Sequence, residues 1–120
     1  ENECIKLINE LNLTDRIDLA GFQKNSRTYY EMFDIFMLSS HYEGLPYSLL
    51  EAMMMGIPSV GTDVVGIKDL IVHGETGYLT KEGDHKDLAG TVIRMLENPD
   101  ILSNFSINAK DRTRVNFNFI

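Results

Sequence analysis

The stretch from Asp34 to Thr62 most narrows the folds open to this chain. Residues 35–39 are a short, continuous apolar run closed by a serine, the pattern of a strand buried on both faces. A loop, residues 41–45, follows. Pro46 is then placed to open a helix at its first position, where a missing N–H costs nothing. That helix is expected to reach Met55 and stop at Gly56. Residues 58–61 form a second short apolar strand. Strands joined through a helix in this way pair in parallel, and a parallel sheet carries helices on its faces. The expected class is therefore α/β, a parallel sheet flanked by helices.

The rest of the chain keeps the alternation. Residues 2–11 predict a helix with Ile5, Leu7, Ile8 and Leu11 on one face, ended by Asn12. Residues 16–22 predict a short strand. Residues 26–33 predict a helix capped by Asn25 or Ser26. Residues 66–72 predict a short helix, residues 73–77 a turn served by Gly77, and residues 78–80 an edge strand. Residues 85–97 predict an amphipathic helix with Leu88, Val92, Ile93 and Leu96 inward. Asn98-Pro99 breaks it, and a last helix covers about residues 100–112. The Met53-Met54-Met55 triplet is expected to fill the core.

Composition excludes several functions. At 120 residues the chain is expected to be one domain, and it opens inside a helix and ends at residues 117–120 without a polar tail, as a piece of a longer polypeptide would. Apolar residues make up 43% and charged residues 24%, with no run long enough to cross a bilayer and no signal-peptide pattern. The single Cys4 has no internal partner, which favours a reducing, cytoplasmic compartment. A net charge of −7 opposes nucleic acid or an anionic membrane as partner. It leaves room for a phosphate held by backbone amides. His41, His73 and His85 lack metal-ligand spacing, so no metal site is expected.

The chemistry concentrates where the first strand meets the helix. Ligands of open parallel sheets sit at the strands' carboxyl ends. The 41–45 loop lies there and feeds a helix N-terminus, whose free N–H groups and positive dipole end favour an anion. The expected donors are the amides of Leu45, Tyr47, Ser48 and Leu49. Glu43 before the helix and Glu51 in its second turn flank that site. Each carboxylate can accept from a pair of sugar hydroxyls. A diphosphate between two sugars would match this set. The same pair of glutamates is equally consistent with simple complementation of the helix dipole.

Glu43-Gly44-Leu45-Pro46-Tyr47-Ser48-Leu49-Leu50-Glu51 resembles the Glu–x7–Glu signature of glycosyltransferase family 4. Further segments resemble that family in the same order: Leu13 to Ile17 and Gly21-Phe22 upstream, then Ser59 to Thr62, Val65-Gly66 to Ile71, and His73 to Leu79. The resemblance implies a Rossmann-like sheet, the C-terminal half of a GT-B fold. The chain is then a partial nucleotide-sugar-binding domain over 1–120, lacking its own first part and an N-terminal acceptor domain. It implies a retaining, metal-independent transfer of a hexose from a nucleoside diphosphate sugar to a glycan, lipid or small acceptor. That sugar nucleotide is a substrate, and no cofactor is implied. Glu43 would contact the donor sugar at the reacting centre, Glu51 the ribose hydroxyls, and the amides around Gly44 to Leu49 the diphosphate. Gly66 would let backbone approach the donor, and the base would lie near Phe22.

The sequence departs from the family pattern in places. Val65-Gly66 keeps one glycine of a usual pair, and Asp69 stands where glutamate is usual. The family's Arg and Lys for the diphosphate fall upstream of Glu1, and Lys24 and Arg27 come too late in the chain to replace them. The chain alone is thus expected to be inactive. Family analogy allows work at the inner face of a membrane through the full-length protein. Two other readings compete: an inactive sugar-nucleotide-binding or assembly module, and a sugar-nucleotide epimerase of similar fold. Base, sugar and acceptor are left open.

Overall fold

A computed structural model describes residues 2–42 and 44–116. In chain order the elements are α1 (Asn2–Glu10), α2 (Arg27–Tyr30), β1 (Phe36–Leu38), α3 (Tyr47–Met54), β2 (Ser59–Thr62), α4 (Ile67–Leu70), β3 (Gly77–Thr80), α5 (His85–Leu96) and α6 (Pro99–Asn116).

The strands form one parallel sheet in the order β1-β2-β3. Phe36 pairs with Ser59 and Leu38 with Gly61; Ser59 pairs with Gly77 and Thr62 with Thr80. β2 is buried along its whole length, as a central parallel strand must be. Side chains alternate across it and its neighbours. Phe36, Leu38 and Leu79 pack on one face with Leu49, Leu50 and Met53 of α3, Ile67 and Leu70 of α4, and Ala109 of α6. Val60 and Tyr78 pack on the other with Leu88, Val92 and Met95 of α5 and Phe105 of α6. Helices thus cover both faces, and α6 joins the two layers. β2 and β3 approach closely at Gly77, where an added Cβ would stand 2.1 Å from the Ser59 carbonyl oxygen.

Several elements differ from expectation. Residues 16–22 carry no strand, because no neighbouring strand pairs with their backbone groups, and Ile17 and Leu19 are exposed. The 26–33 helix shrinks to α2, after which Met32 and Phe33 donate to the Tyr29 and Tyr30 carbonyls in tighter turns. Ser26 precedes it in αR geometry with no side-chain cap, since capping needs an extended residue there. α1 forms, yet buries none of its residues. Ile93 and Leu96 of α5 are exposed, and the inward stripe is Leu88, Thr91, Val92 and Met95. The helical period puts 88, 91, 92 and 95 on one line and turns 93 and 96 away. Met53 is core, whereas Met54 is 40% exposed. Gly77 belongs to β3, and the turn's positive φ falls on Gly74. Pro99 starts α6 rather than only ending α5.

Candidate functional site

The loops after β1, β2 and β3 share one edge of the sheet, the carboxyl edge. Two bonds tie that edge together. The Thr62 hydroxyl donates to the Ser40 carbonyl, fixing the end of β2 to the start of the β1–α3 loop. The Asp63 amide donates to the Thr80 carbonyl at 2.8 Å, fixing β2 to β3.

The β1–α3 loop ends in a buried Pro46 whose ψ of 92° is extended. Pro46 is therefore the residue before the helix and not its first residue, correcting the expected start by one position. Its carbonyl accepts the first helical bond, from Leu50 at 3.1 Å. The N–H groups of Tyr47, Ser48 and Leu49 come before that bond. Among the described residues they donate to no group and no side chain caps them. Leu49 and Leu50 are buried in the core and hold the helix end rigidly against the sheet. The result is a set of N–H groups at a positive dipole end, with Tyr47 exposed, Ser48 half-buried and Leu49 fully buried.

Glu51 lies one turn further along, a rise of roughly 6 Å from Tyr47. Its side chain is exposed. It stands between two grooves. One, of about 400 Å³, is lined by Leu45, Tyr47, Leu50, Glu51 and Met54. The other, of about 240 Å³, is lined by Arg27, Glu51, Met54 and Met55. Across from Glu51, burial raises the Tyr30 phenol above its ordinary value, and the Glu51 carboxylate raises it further.

The structure brings Leu45, Tyr47 and Glu51 to one surface and places Ser48 and Leu49 at the same helix end. Gly44 is exposed, with nothing within 4 Å of where its Cβ would stand. Glu43 lies outside the described residues. Gly66 differs in kind from the rest. Its φ of 94° is open to glycine and strained for other residues, and its N–H donates to the Asp69 carboxylate at 3.2 Å. Its donor is thus engaged at the start of α4, and Asp69 acts as a cap. Phe22, the expected neighbour of a base, is 93% exposed.

Sequence reasoning missed a second cavity at the carboxyl edge. It measures about 200 Å³ and is lined by Ser39, His41, Thr62, Lys81, Asp84 and His85 among others. His41 and His85, far apart in sequence, both line it. The signal was available in outline, because these residues follow the ends of adjacent parallel strands. Among the described residues, no group of three or more His, Cys, Asp or Glu could hold a metal ion, and no helix is long and apolar enough to cross a membrane.

Comparison with known proteins matches this arrangement to a family. Residues 1–112 match the model of the family described as glycosyl transferases group 1. N-acetyl-alpha-D-glucosaminyl L-malate synthase of Bacillus anthracis is 36% identical over 107 residues, covering 89% of this chain and 28% of that protein. The lipopolysaccharide core biosynthesis mannosyltransferase LpsB of Rhizobium meliloti is 31% identical, covering 98% of this chain and 34% of its own length. The Anabaena protein HepE, solved in complex with UDP, superposes with a TM-score of 0.92 at 26% identity, over 97% of this chain and 32% of that one. The chain thus spans about a third of the length of these relatives. Its sheet and helices are those of a Rossmann-like α/β domain, as found in GT-B glycosyltransferases. The chain belongs to the glycosyl transferases group 1 family.

Proposed function

We propose that this chain is the donor-binding part, the C-terminal half, of a family 4-like retaining glycosyltransferase that moves a hexose from a nucleoside diphosphate sugar to a glycan, lipid or small acceptor. The observation that carries this reading is the open N-terminus of α3 at the carboxyl edge of the sheet, with the exposed Glu51 one turn along it. The amides of Tyr47, Ser48 and Leu49 suit a diphosphate, and Glu51 suits the ribose hydroxyls beside the groove it lines. HepE, whose structures include complexes with UDP, with UDP and glucose, and with UDP-glucose, supports a sugar nucleotide as ligand.

In this reading the helix end stabilises charge developing on the leaving diphosphate, so that no protein-held metal is needed. Glu43, by its place in the sequence, faces the donor sugar at the reacting centre. Gly66 stands at the neighbouring loop. The acceptor site belongs to a further, N-terminal domain, so these 120 residues alone bind donor without transferring sugar. The complete protein works in the cytoplasm, at the inner face of a membrane where its acceptor is a lipid.

Calorimetric titration with UDP tests the reading. Glu51→Ala should weaken UDP binding by roughly ten- to a hundredfold, the worth of hydrogen bonds to a charged group. The thermal midpoint should hardly move, because the side chain is exposed. Equal UDP affinity in wild type and Glu51→Ala would remove Glu51 from the site.

A further inference from the structure

His41 and Glu82 meet across the carboxyl edge of the sheet. His41 Nδ1 lies 2.7 Å from Glu82 Oε2, joining the loop after β1 to the loop after β3. The side chains are 79% and 48% exposed. A contact so exposed adds little to global stability. Its effect is therefore to be sought in the geometry of the loops that it joins.

Among its described residues, the β1–α3 loop is otherwise lightly held. It is pinned at its start by the Thr62 hydroxyl on the Ser40 carbonyl, and at its end by the buried Pro46. Between these points Tyr42 is 70% and Leu45 44% exposed. Nothing lies within 4 Å of a Cβ placed on Gly44. Among the described residues, His41–Glu82 is the only side-chain hydrogen bond made by residues 41–45. The same His41 lines the 200 Å³ cavity with Ser39, Thr62 and Lys81. Among the described residues packing is thus sparse at this point, and the contact with Glu82 holds His41.

Glu82 is held from its own side. The Lys81 amide donates to Asp87 at 3.0 Å, and the Asp87 amide donates to Asp84 at 2.9 Å. These bonds anchor the β3–α5 loop to the first turn of α5. The pair therefore links the lightly held donor loop to a well-held one.

We propose that Glu82 is a positioning residue for the donor. By holding His41 it restrains the 41–45 loop in the arrangement that admits the diphosphate to the α3 amides. The proposal rests on the donor-binding reading above. Glu82 itself touches no donor. Without the link, the loop must be ordered when the ligand binds, and that entropy is taken from affinity.

UDP titration of the full-length protein and its variants tests the role. Glu82→Ala and His41→Ala should each weaken UDP binding roughly two- to fivefold, the worth of an exposed hydrogen bond. The double variant should lose no more than either single one, because both remove the same link. Glu82→Gln, which keeps an acceptor oxygen at the same reach, should recover most of the affinity. Thermal midpoints should stay unchanged throughout. Wild-type binding with Glu82→Ala unaffected, additive losses in the double variant, or a Glu82→Gln no better than Glu82→Ala would each overturn the positioning role alone. A wild-type protein that binds no UDP would overturn the donor reading and this role with it.

Discussion

Glu51 acts in two directions. Its carboxylate is open to the grooves beside α3, and its charge also reaches the Tyr30 phenol. Burial is the larger cause of that phenol's raised pKa, Glu51 the next, and a bond to Ser26 opposes both. In the unfolded chain the phenol ionises near 10.0, earlier than in the folded one. The stability it contributes is therefore complete below that pH and is lost as pH rises through the folded value. Glu51→Gln should bring the Tyr30 titration to lower pH, followed by the Tyr30 ring signals in an NMR titration. An unmoved titration would separate the two residues. Glu51 was legible in the sequence through its spacing from Glu43. Tyr30 was not, because its relation to Glu51 arises only when α2 lies against α3. Gly66 was legible as a backbone position, but not the engagement of its N–H by Asp69, which depends on the local turn.

In the proposed reading α3 holds the anion through its backbone, so backbone chemistry is the way to test it. Tyr47 is the first helical residue, a position that accepts proline without strain. Tyr47→Pro removes one free N–H, and Tyr47→Ala removes the same side chain while keeping the N–H. Tyr47→Pro should bind UDP about tenfold more weakly than Tyr47→Ala, since one hydrogen bond to a charged group is lost. Equal affinities would show that this amide does not meet the phosphate. At this scale the sequence was most readable where a signal was local. The apolar run at 35–39, the Pro46 helix start and the Gly56 stop each appear within a residue or two of the expected place. It was least readable where pairing with another strand decides the outcome, as at residues 16–22. The inward face of α5 differs from the expected one for another reason. Apolar residues outnumber those one face can bury, and the helical line through Leu88 and Val92 reaches Met95 while turning Ile93 and Leu96 away.

At the largest scale the chain is a small parallel sheet flanked by helices, whose carboxyl edge collects the loops after its three strands. Every residue proposed to meet the donor follows β1 or β2, and the loop after β3 braces them through Glu82. This division was legible in the sequence as a class of fold. The second cavity was not, since His41, Lys81 and His85 converge only once three strands are aligned. If the helix end takes the place of a metal, sugar transfer by the full-length protein should keep its rate in excess EDTA. Abolition by EDTA and rescue by Mg²⁺ or Mn²⁺ would contradict that part of the proposal. The central claim is that the start of α3 holds a nucleotide diphosphate. Backbone amide shifts recorded during a UDP titration address it directly. Saturable shifts are expected, largest at Tyr47, Ser48, Leu49 and Glu51. Saturable binding whose shifts lie elsewhere, with these amides silent, would contradict it.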